Sequence, residues 1–166
     1  MQIGDDWERR EAELWASIDD YEAEVFRAQV DALAAELPPD SAVAPFERAC
    51  AFDSTGHPDK AVPLYREALE LGLEGERRRR ATIQMASSLR NLGHADACVE
   101  LMRAERARTS DALDDAVAAV LALGLADLGR EREGLSIVLA ALAPHLPRYQ
   151  RSMGNYARML LDAEAT

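Results

Sequence analysis

The sequence predicts an all-α protein, a solenoid of stacked helical hairpins closed at each end by capping helices. Composition is the first reason. Ala, Leu, Glu and Arg predominate, while only seven prolines and nine glycines interrupt 166 positions, so helix is the preferred local state almost everywhere. The second reason is a punctuation written three times: AFDSTGHPDKAVPLYREAL from residue 51, SLRNLGHADACVELMRAER from residue 88, and GLADLGREREGLSIVLAAL from residue 124. Aligned on Gly56, Gly93 and Gly129, these stretches recur at spacings of 37 and 36 residues. That is the period of helix pairs, each too small to bury its own apolar face without a neighbour. The third reason is the lack of any run of 18 or more apolar residues, which excludes a membrane span.

Hydrophobic residues make up 48% and charged residues 30% of the chain, the balance of a globular protein rather than a disordered one. Its length suits a single domain. The amino terminus, MQIGDDWERREAELW, is acidic and lacks the apolar stretch of a secretory signal. Trp7, Glu11, Leu14, Trp15 and Ile18 share helical spacing and predict a helix over about 5–18. Phe26, Val30, Leu33, Ala34 and Leu37 predict a second over about 20–37, stopped by Pro38-Pro39. These two form an N-terminal cap, residues 1–41.

Within each repeat the glycine closes the first helix, where a left-handed residue ends the last turn. Asp59 and Asp96 fall at the start of the second helix, where its dipole favours an acid. Five residues past each glycine stand Ala61, Cys98 and Gly134, small as closely crossing helices require. Nine past it stand Tyr65, Met102 and Val138, larger groups suited to filling a core. Before the glycine, Phe52, Leu89 and Leu125 share one slot and Ala49, Ala86 and Ala122 another. Pro63 conflicts with a helix that starts at His57: either the helix begins nearer Asp59, or it bends at the proline. After Pro147, the spacing of Tyr149, Met153, Tyr156, Ala157 and Leu160 predicts a final amphipathic helix, the ninth in all.

Small, large and turn positions in this register resemble the tetratricopeptide repeat (TPR), a 34-residue hairpin with small residues at its positions 8, 20 and 27. Carried over, the units begin near Ala42, Arg79 and Asp115, giving hairpins over about 42–78, 79–114 and 115–146, with a C-terminal capping helix over 147–166. Position 8 is Ala49, Ala86 and Ala122; position 20 is Ala61, Cys98 and Gly134. Position 27 is Ala68 and Ala141, but Glu105 departs from the pattern in the middle unit. The proline expected at position 32 is missing, and the excess residues lengthen the turn between units. The line from PFERACAFDSTG through LYREALELGL to IQMASSLRNLG also resembles a group of short, stand-alone bacterial TPR proteins. The resemblance covers roughly residues 40–145. It implies a right-handed solenoid of three units and a protein-binding scaffold.

Charge and reactive residues narrow the function classes. The net charge is −11, with 12 acids against 3 bases over residues 1–42 and 8 bases against 3 acids over 77–110. Overall acidity argues against nucleic acid or a membrane surface as partner. Two cysteines make neither a disulfide framework nor a metal cluster, and a reduced cytoplasmic setting fits them. His57 and His94 occupy equivalent turn corners, and His145 lies between Pro144 and Pro147. None of the three is expected to bind metal, and no cofactor-binding or catalytic motif is present. Cys98 fills the small slot of its unit. Cys50, at position 9, would be reactive if exposed beside the arginine run, but no general base is placed near it and an inert thiol is expected.

The TPR resemblance implies a concave groove lined by positions 2, 5, 6, 9, 12 and 13. The first unit then offers Phe46, Cys50 and Asp53, beside Glu47 and Ser54. The second offers Arg80, Ile83, Gln84, Ser87, Arg90 and Asn91, a set with amide and guanidinium donors for a peptide's backbone or carboxylates. The third offers Leu123 and Asp127 among Ala119, Val120 and Ala126. Four consecutive arginines, Arg77 to Arg80, project around most of a helical turn and cannot all face one ligand. They form either a solvated corner paired with acids or, through Arg80, part of the groove. Phe46 and Cys50 stand where the chaperone-tail clamp of relatives needs Lys and Asn, so tail capture is not supported. The first reading is a non-catalytic cytoplasmic adaptor binding a protein segment. The alternative is a homodimer formed through the groove or the N-terminal cap, where Trp7 and Trp15 lie near one helical face.

Overall fold

A computed structural model describes residues 4–108 and 110–162. Nine α-helices follow one another with no strand among the described residues: α1 (Asp5–Ala16), α2 (Ala23–Ala34), α3 (Val43–Ser54), α4 (Pro58–Glu70), α5 (Gly75–Asn91), α6 (Ala95–Arg108), α7 (Asp114–Asp127), α8 (Glu131–Leu142) and α9 (Gln150–Asp162). Short 3-10 turns at Ile18–Asp20 and Ala143–His145 make two of the corners. The chain divides within α5 into two compact units, residues 1–84 and 85–166. Contacts in a helical repeat run between sequence neighbours, so such a chain can part in the middle of a helix.

The three repeat glycines end α3, α5 and α7 in the way their spacing predicts. Gly56, Gly93 and Gly129 hold φ of +81°, +88° and +72°. In each turn the amide after the glycine reaches back to the slot shared by Phe52, Leu89 and Leu125: His57 N to Phe52 O at 2.9 Å, His94 N to Leu89 O at 2.9 Å, Arg130 N to Leu125 O at 2.9 Å. The glycine amides bond Asp53, Arg90 and Ala126 carbonyls in turn. This is a Schellman cap repeated three times, and it satisfies helix-end carbonyls that would otherwise lack a donor. Helix α4 ends on the same motif at Gly72, with Leu73 N bonded to Ala68 O.

In the first unit, Phe26, Val30 and Ala51 form a core against which Leu14, Trp15 and Ile18 pack. Both tryptophans turn inward. Trp7 is 6% exposed and its Nε1 donates to Leu33 O at 2.9 Å, while Trp15 meets Phe26 edge-on at 5.0 Å. They seal the cap, and the homodimer reading loses them as an exposed surface. The first helix ends at Ala16 rather than 18 because the Ser17 hydroxyl bonds back to Glu13 O and Leu14 O. The second runs over 23–34 rather than 20–37, its ends taken by the 3-10 corner and by turns at Glu36 and Leu37. Helix α4 starts at Pro58 and continues through exposed Pro63 in its second turn.

In the second unit the small slots bring backbones together. Gly134 of α8 lies on Ala122 of α7, so closely that a β-carbon there would stand 2.8 Å from Ala122 O. Gly124 of α7 faces Cys98 and Val99 of α6, each 3.1 Å from an added β-carbon. The large slot does not hold throughout. Tyr65 and Met102 are fully buried, but Val138 is 37% exposed. The third repeat is followed by one helix rather than a pair, and α9 docks at Ser136, about 200° around α8 from Val138. The final helix differs likewise: Ala157 is its buried residue, whereas Tyr149 and Tyr156 face outward. Glu105, the departure from the small-residue pattern, is buried at 2% exposure.

Candidate functional site

The residues expected to line a groove separate into core and surface. Phe46, Cys50 and Ile83 are buried at 0%, 2% and 8% exposure, so they belong to the core and not to an open surface. Asp53, Arg80, Gln84, Ser87 and Arg90 are half-buried, and Asn91, Leu123 and Asp127 are exposed. The sequence missed this division because helical spacing alone does not say how far a neighbour overhangs each position.

In the first unit, the Arg80 guanidinium lies over the Phe46 ring, 5.4 Å from its centroid, a cation–π contact that holds the charge at the surface. Phe46 in turn rests on Tyr65, whose hydroxyl donates to Asp53 Oδ2 at 3.4 Å. The Cys50 thiol donates to Gln84 Oε1 at 3.4 Å, and burial pushes its pKa up to about 12. It is therefore an inert core thiol, and the idea of a partly exposed Cys50 is corrected. Burial raises the Cys98 thiol as well.

The arginine run lies inside α5, which begins at Gly75, four residues ahead of the expected unit start. Its members part company at once. Arg77 pairs with Glu8 of the acidic α1 at 2.5 and 3.0 Å. Arg79 is 1% exposed, a buried charge rather than a solvated one. Arg80, the member that the sequence assigned to the groove, is half-buried and lies over Phe46. Close by, Glu47 is 2% exposed and accepts Trp15 Nε1 at 3.0 Å, with Arg77 3.6 Å away. Burial, followed by the neighbouring Glu11 charge, pushes the Glu47 carboxyl up to about 7, against the pull of Trp15, Arg77 and Arg80. Burial raises Glu11 too.

This acidic pair has a consequence for stability. A carboxyl raised in the folded state binds its proton more tightly there than when unfolded, so stability falls as pH rises from the unfolded value near 4.5 through about 7. Glu8, Asp6 and Glu36 are lowered by their arginine partners and act oppositely, but only at more acidic pH. Glu47→Gln keeps an acceptor for Trp15. It is expected to flatten the decline between pH 5 and 8, with a gain on the order of 1–3 kcal/mol at pH 8 and little change at pH 5. Urea unfolding at the two pH values measures it; an equal effect at both would remove Glu47 as the titrating group.

In the second unit, Arg90 of α5 and Asp127 of α7 form a two-pronged ion pair, Nε to Oδ2 at 2.6 Å and Nη2 to Oδ1 at 3.1 Å. Leu123 lies one turn before Asp127 on α7 and is 47% exposed. An exposed leucine beside a charged fork gives an apolar anchor with a polar rim. Of the histidines, His57 meets Phe52 edge-on and His145 bonds Asp115 at 2.8 Å. The described residues hold no group of three or more His, Cys, Asp or Glu arranged to bind a metal.

One cleft was not foreseen from the sequence. A cleft of about 1030 Å³ in the first unit is lined by Trp7, Leu37, Val43 and Leu73, with Asp6, Glu36, Glu74 and Glu76 around it. Its arginines are engaged, Arg10 with Glu36 and Asp6, Arg77 with Glu8. Residues from three distant stretches build it, and no spacing rule finds such a site.

Hairpins with these caps and close small-residue crossings define a helical-repeat protein. The chain belongs to the tetratricopeptide-repeat family, whose pattern matches residues 42–160. Among solved structures it is similar to the nearly identical TPR-like repeats of a Podosopora anserina protein assigned as a kinesin light chain, at 17% identity and a TM-score of 0.70, over 98% of this chain and 94% of that one. A single-substitution form of the same protein gives 16% identity and 0.69, over 98% and 95%. At such identity the likeness is one of fold. None of the curated proteins compared matches the chain. The TPR fold generally mediates protein–protein interaction, and no helix among the described residues is long and apolar enough to cross a membrane.

Proposed function

We infer that this chain is a non-catalytic adaptor that binds a protein segment on the first helices of its repeats. The observation that carries the reading is Leu123, exposed beside the Arg90–Asp127 fork. An apolar side chain of the partner would cover Leu123, while its backbone or a carboxylate would meet Arg90, Ser87 and Asn91. Arg80, held on Phe46 in the first unit, offers a separate charged contact. The reading keeps a cap over 1–41, hairpins over about 42–78, 79–114 and 115–146, and a last capping helix. It also keeps a bacterial, cytoplasmic setting, consistent with two buried, unpaired cysteines.

The test is retention of protein partners from native lysate by tagged wild type and by Leu123→Ala and Arg80→Ala/Arg90→Ala variants with unchanged helical circular dichroism. Both variants are expected to lose at least about tenfold in retention of the same partner. Arg77→Ala should leave retention intact and lower stability instead, since it breaks the pair with Glu8. Equal loss of retention from Arg77 and from the Leu123 site would sink the assignment.

A further inference from the structure

The cleft of about 1030 Å³ in the first unit lies apart from the first-helix face argued above, and its chemistry selects one kind of occupant. Part of its wall is apolar. Trp7 and Leu73 are buried there, and Leu37 and Val43 are half-buried beside them. The volume is at the top of the range for ligand sites. Five exposed carboxylates also line it, Asp6, Glu36, Asp40, Glu74 and Glu76, against two arginines, Arg10 and Arg77. They come from α1, from the chain between α2 and α3, and from the turn that opens α5.

Neither arginine is open to a ligand. Arg10 gives Nε to Asp6 and both terminal nitrogens to Glu36. Arg77 gives its terminal nitrogens to Glu8 and lies 3.6 Å from Glu47 through Nε. An entering anion would have to displace a carboxylate from one of them. The side chains of Asp40, Glu74 and Glu76, by contrast, make no ion pair or hydrogen bond with a described residue. Helix ends do not reverse this sign. Helices α1, α3 and α5 begin at the cleft and α2 and α4 end there, so about half a charge of either sign per end leaves a remainder of only about +0.5. The side chains leave an excess of three negative charges. Among the described residues no three acids, histidines or cysteines stand together as a metal site requires, so the complement is a spread pair of cations rather than one metal ion.

We propose that this cleft docks a short segment of a protein partner in which two lysines or arginines flank apolar residues. The apolar side chains cover Leu37 and Val43, and the cations meet Asp40, Glu74 and Glu76. In an extended chain, cations three positions apart stand about 10 Å from each other, the breadth of a cavity of this size. Ion pairs on so open a rim are individually weak. The apolar contact therefore supplies most of the affinity, and the carboxylates choose which segment enters and turn acidic ones away. This docking surface is built from helix ends and turns of the first unit, and it stands whether or not a partner binds at Leu123.

Titration of the nitrogen-15-labelled full chain with three blocked hexapeptides, GKLFKG, GELFEG and GKSSKG, reads the proposal directly. GKLFKG is expected to bind with a Kd below about 1 mM and to shift the amide signals of Leu37, Val43 and Leu73. GKSSKG, which keeps the charges and lacks the apolar pair, should bind at least about tenfold more weakly, and GELFEG should not bind. The Asp40→Asn/Glu74→Gln/Glu76→Gln variant changes three exposed side chains that hold no described partner, and circular dichroism confirms that it is folded. It should raise the Kd for GKLFKG at least about fivefold, as should a rise in salt from about 50 to 500 mM. No binding of GKLFKG overturns the proposal. So does equal binding of GELFEG, or a Kd indifferent to the triple variant. Shifts confined to Arg90, Asn91 and Leu123 would place the peptide on the first-helix face and overturn it too, while leaving the adaptor reading intact. A dimer that forms with concentration and closes the cleft to GKLFKG would assign the surface to a second copy and overturn it as well.

Discussion

Trp7→Ala is expected to destabilise the protein by about 3–5 kcal/mol, the range for truncating a buried aromatic side chain. The indole is 6% exposed, and its Nε1 donates to Leu33 O at the end of α2. Truncation removes that packing and the indole's hydrogen bond, leaving Leu33 O with the Glu36 amide alone as donor. Trp7→Phe separates the two contributions. It keeps most of the apolar volume and loses the hydrogen bond, and should cost about 1–2 kcal/mol. Urea unfolding followed by far-ultraviolet circular dichroism measures both, with Trp15 fluorescence reporting on the cap. A loss below about 1 kcal/mol for Trp7→Ala would mean that the indole is not sealed between α1 and α2.

Gly134→Leu should be similarly damaging, for the opposite reason. The α7–α8 crossing leaves no room: even a β-carbon at 134 would stand 2.8 Å from Ala122 O and 3.4 Å from its α-carbon. Those are backbone atoms of a helix and cannot swing aside, so the helices must part along their length. A loss of about 3 kcal/mol is expected for leucine and about 1–2 kcal/mol for alanine. Gly154 is the control. It lies in α9 with nothing within 4 Å of an added β-carbon, and Gly154→Ala should stabilise by about 0.5–1 kcal/mol through helix propensity. If Gly134→Ala proved as benign as Gly154→Ala, the close crossing would be refuted.

These two residues, Trp7 and Gly134, illustrate what could be read without coordinates. Gly134 fell in a small slot shared with Ala61 and Cys98, and Ala122 in another shared with Ala49 and Ala86. The contact between the slots follows from the repeat. Gly56, Gly93 and Gly129 were legible too, because a helix cap is a property of consecutive residues and its left-handed glycine leaves a mark at a fixed place. Trp7 and Trp15 were only half legible. Their spacing placed them near one face, but whether that face met solvent or α2 depended on residues 26 to 47.

The candidate site was less legible than the fold. Phe46, Cys50 and Ile83 occupy groove positions by spacing and yet are buried. Arg77 and Arg80, three residues apart in one run, have separate partners: Glu8, 69 positions earlier in the chain, and the Phe46 ring. Arg90 and Asp127 were both on the predicted face, but their pairing spans 37 positions. Nothing in a string of letters states such a distance.

The sequence by itself determined the helices, their caps, the repeat register and the places where two helices must touch closely. All of these arise from backbone conformations and short periodicities encoded within a few turns. Only the tertiary structure decided which side of each helix remained uncovered. It raised the Glu47 carboxyl by burying it against Glu11, exposed Val138 at the end of the repeat, and turned Tyr149 and Tyr156 outward on α9. Burial and charge pairing are properties of what lies opposite a residue, and that neighbour is supplied by the packed chain.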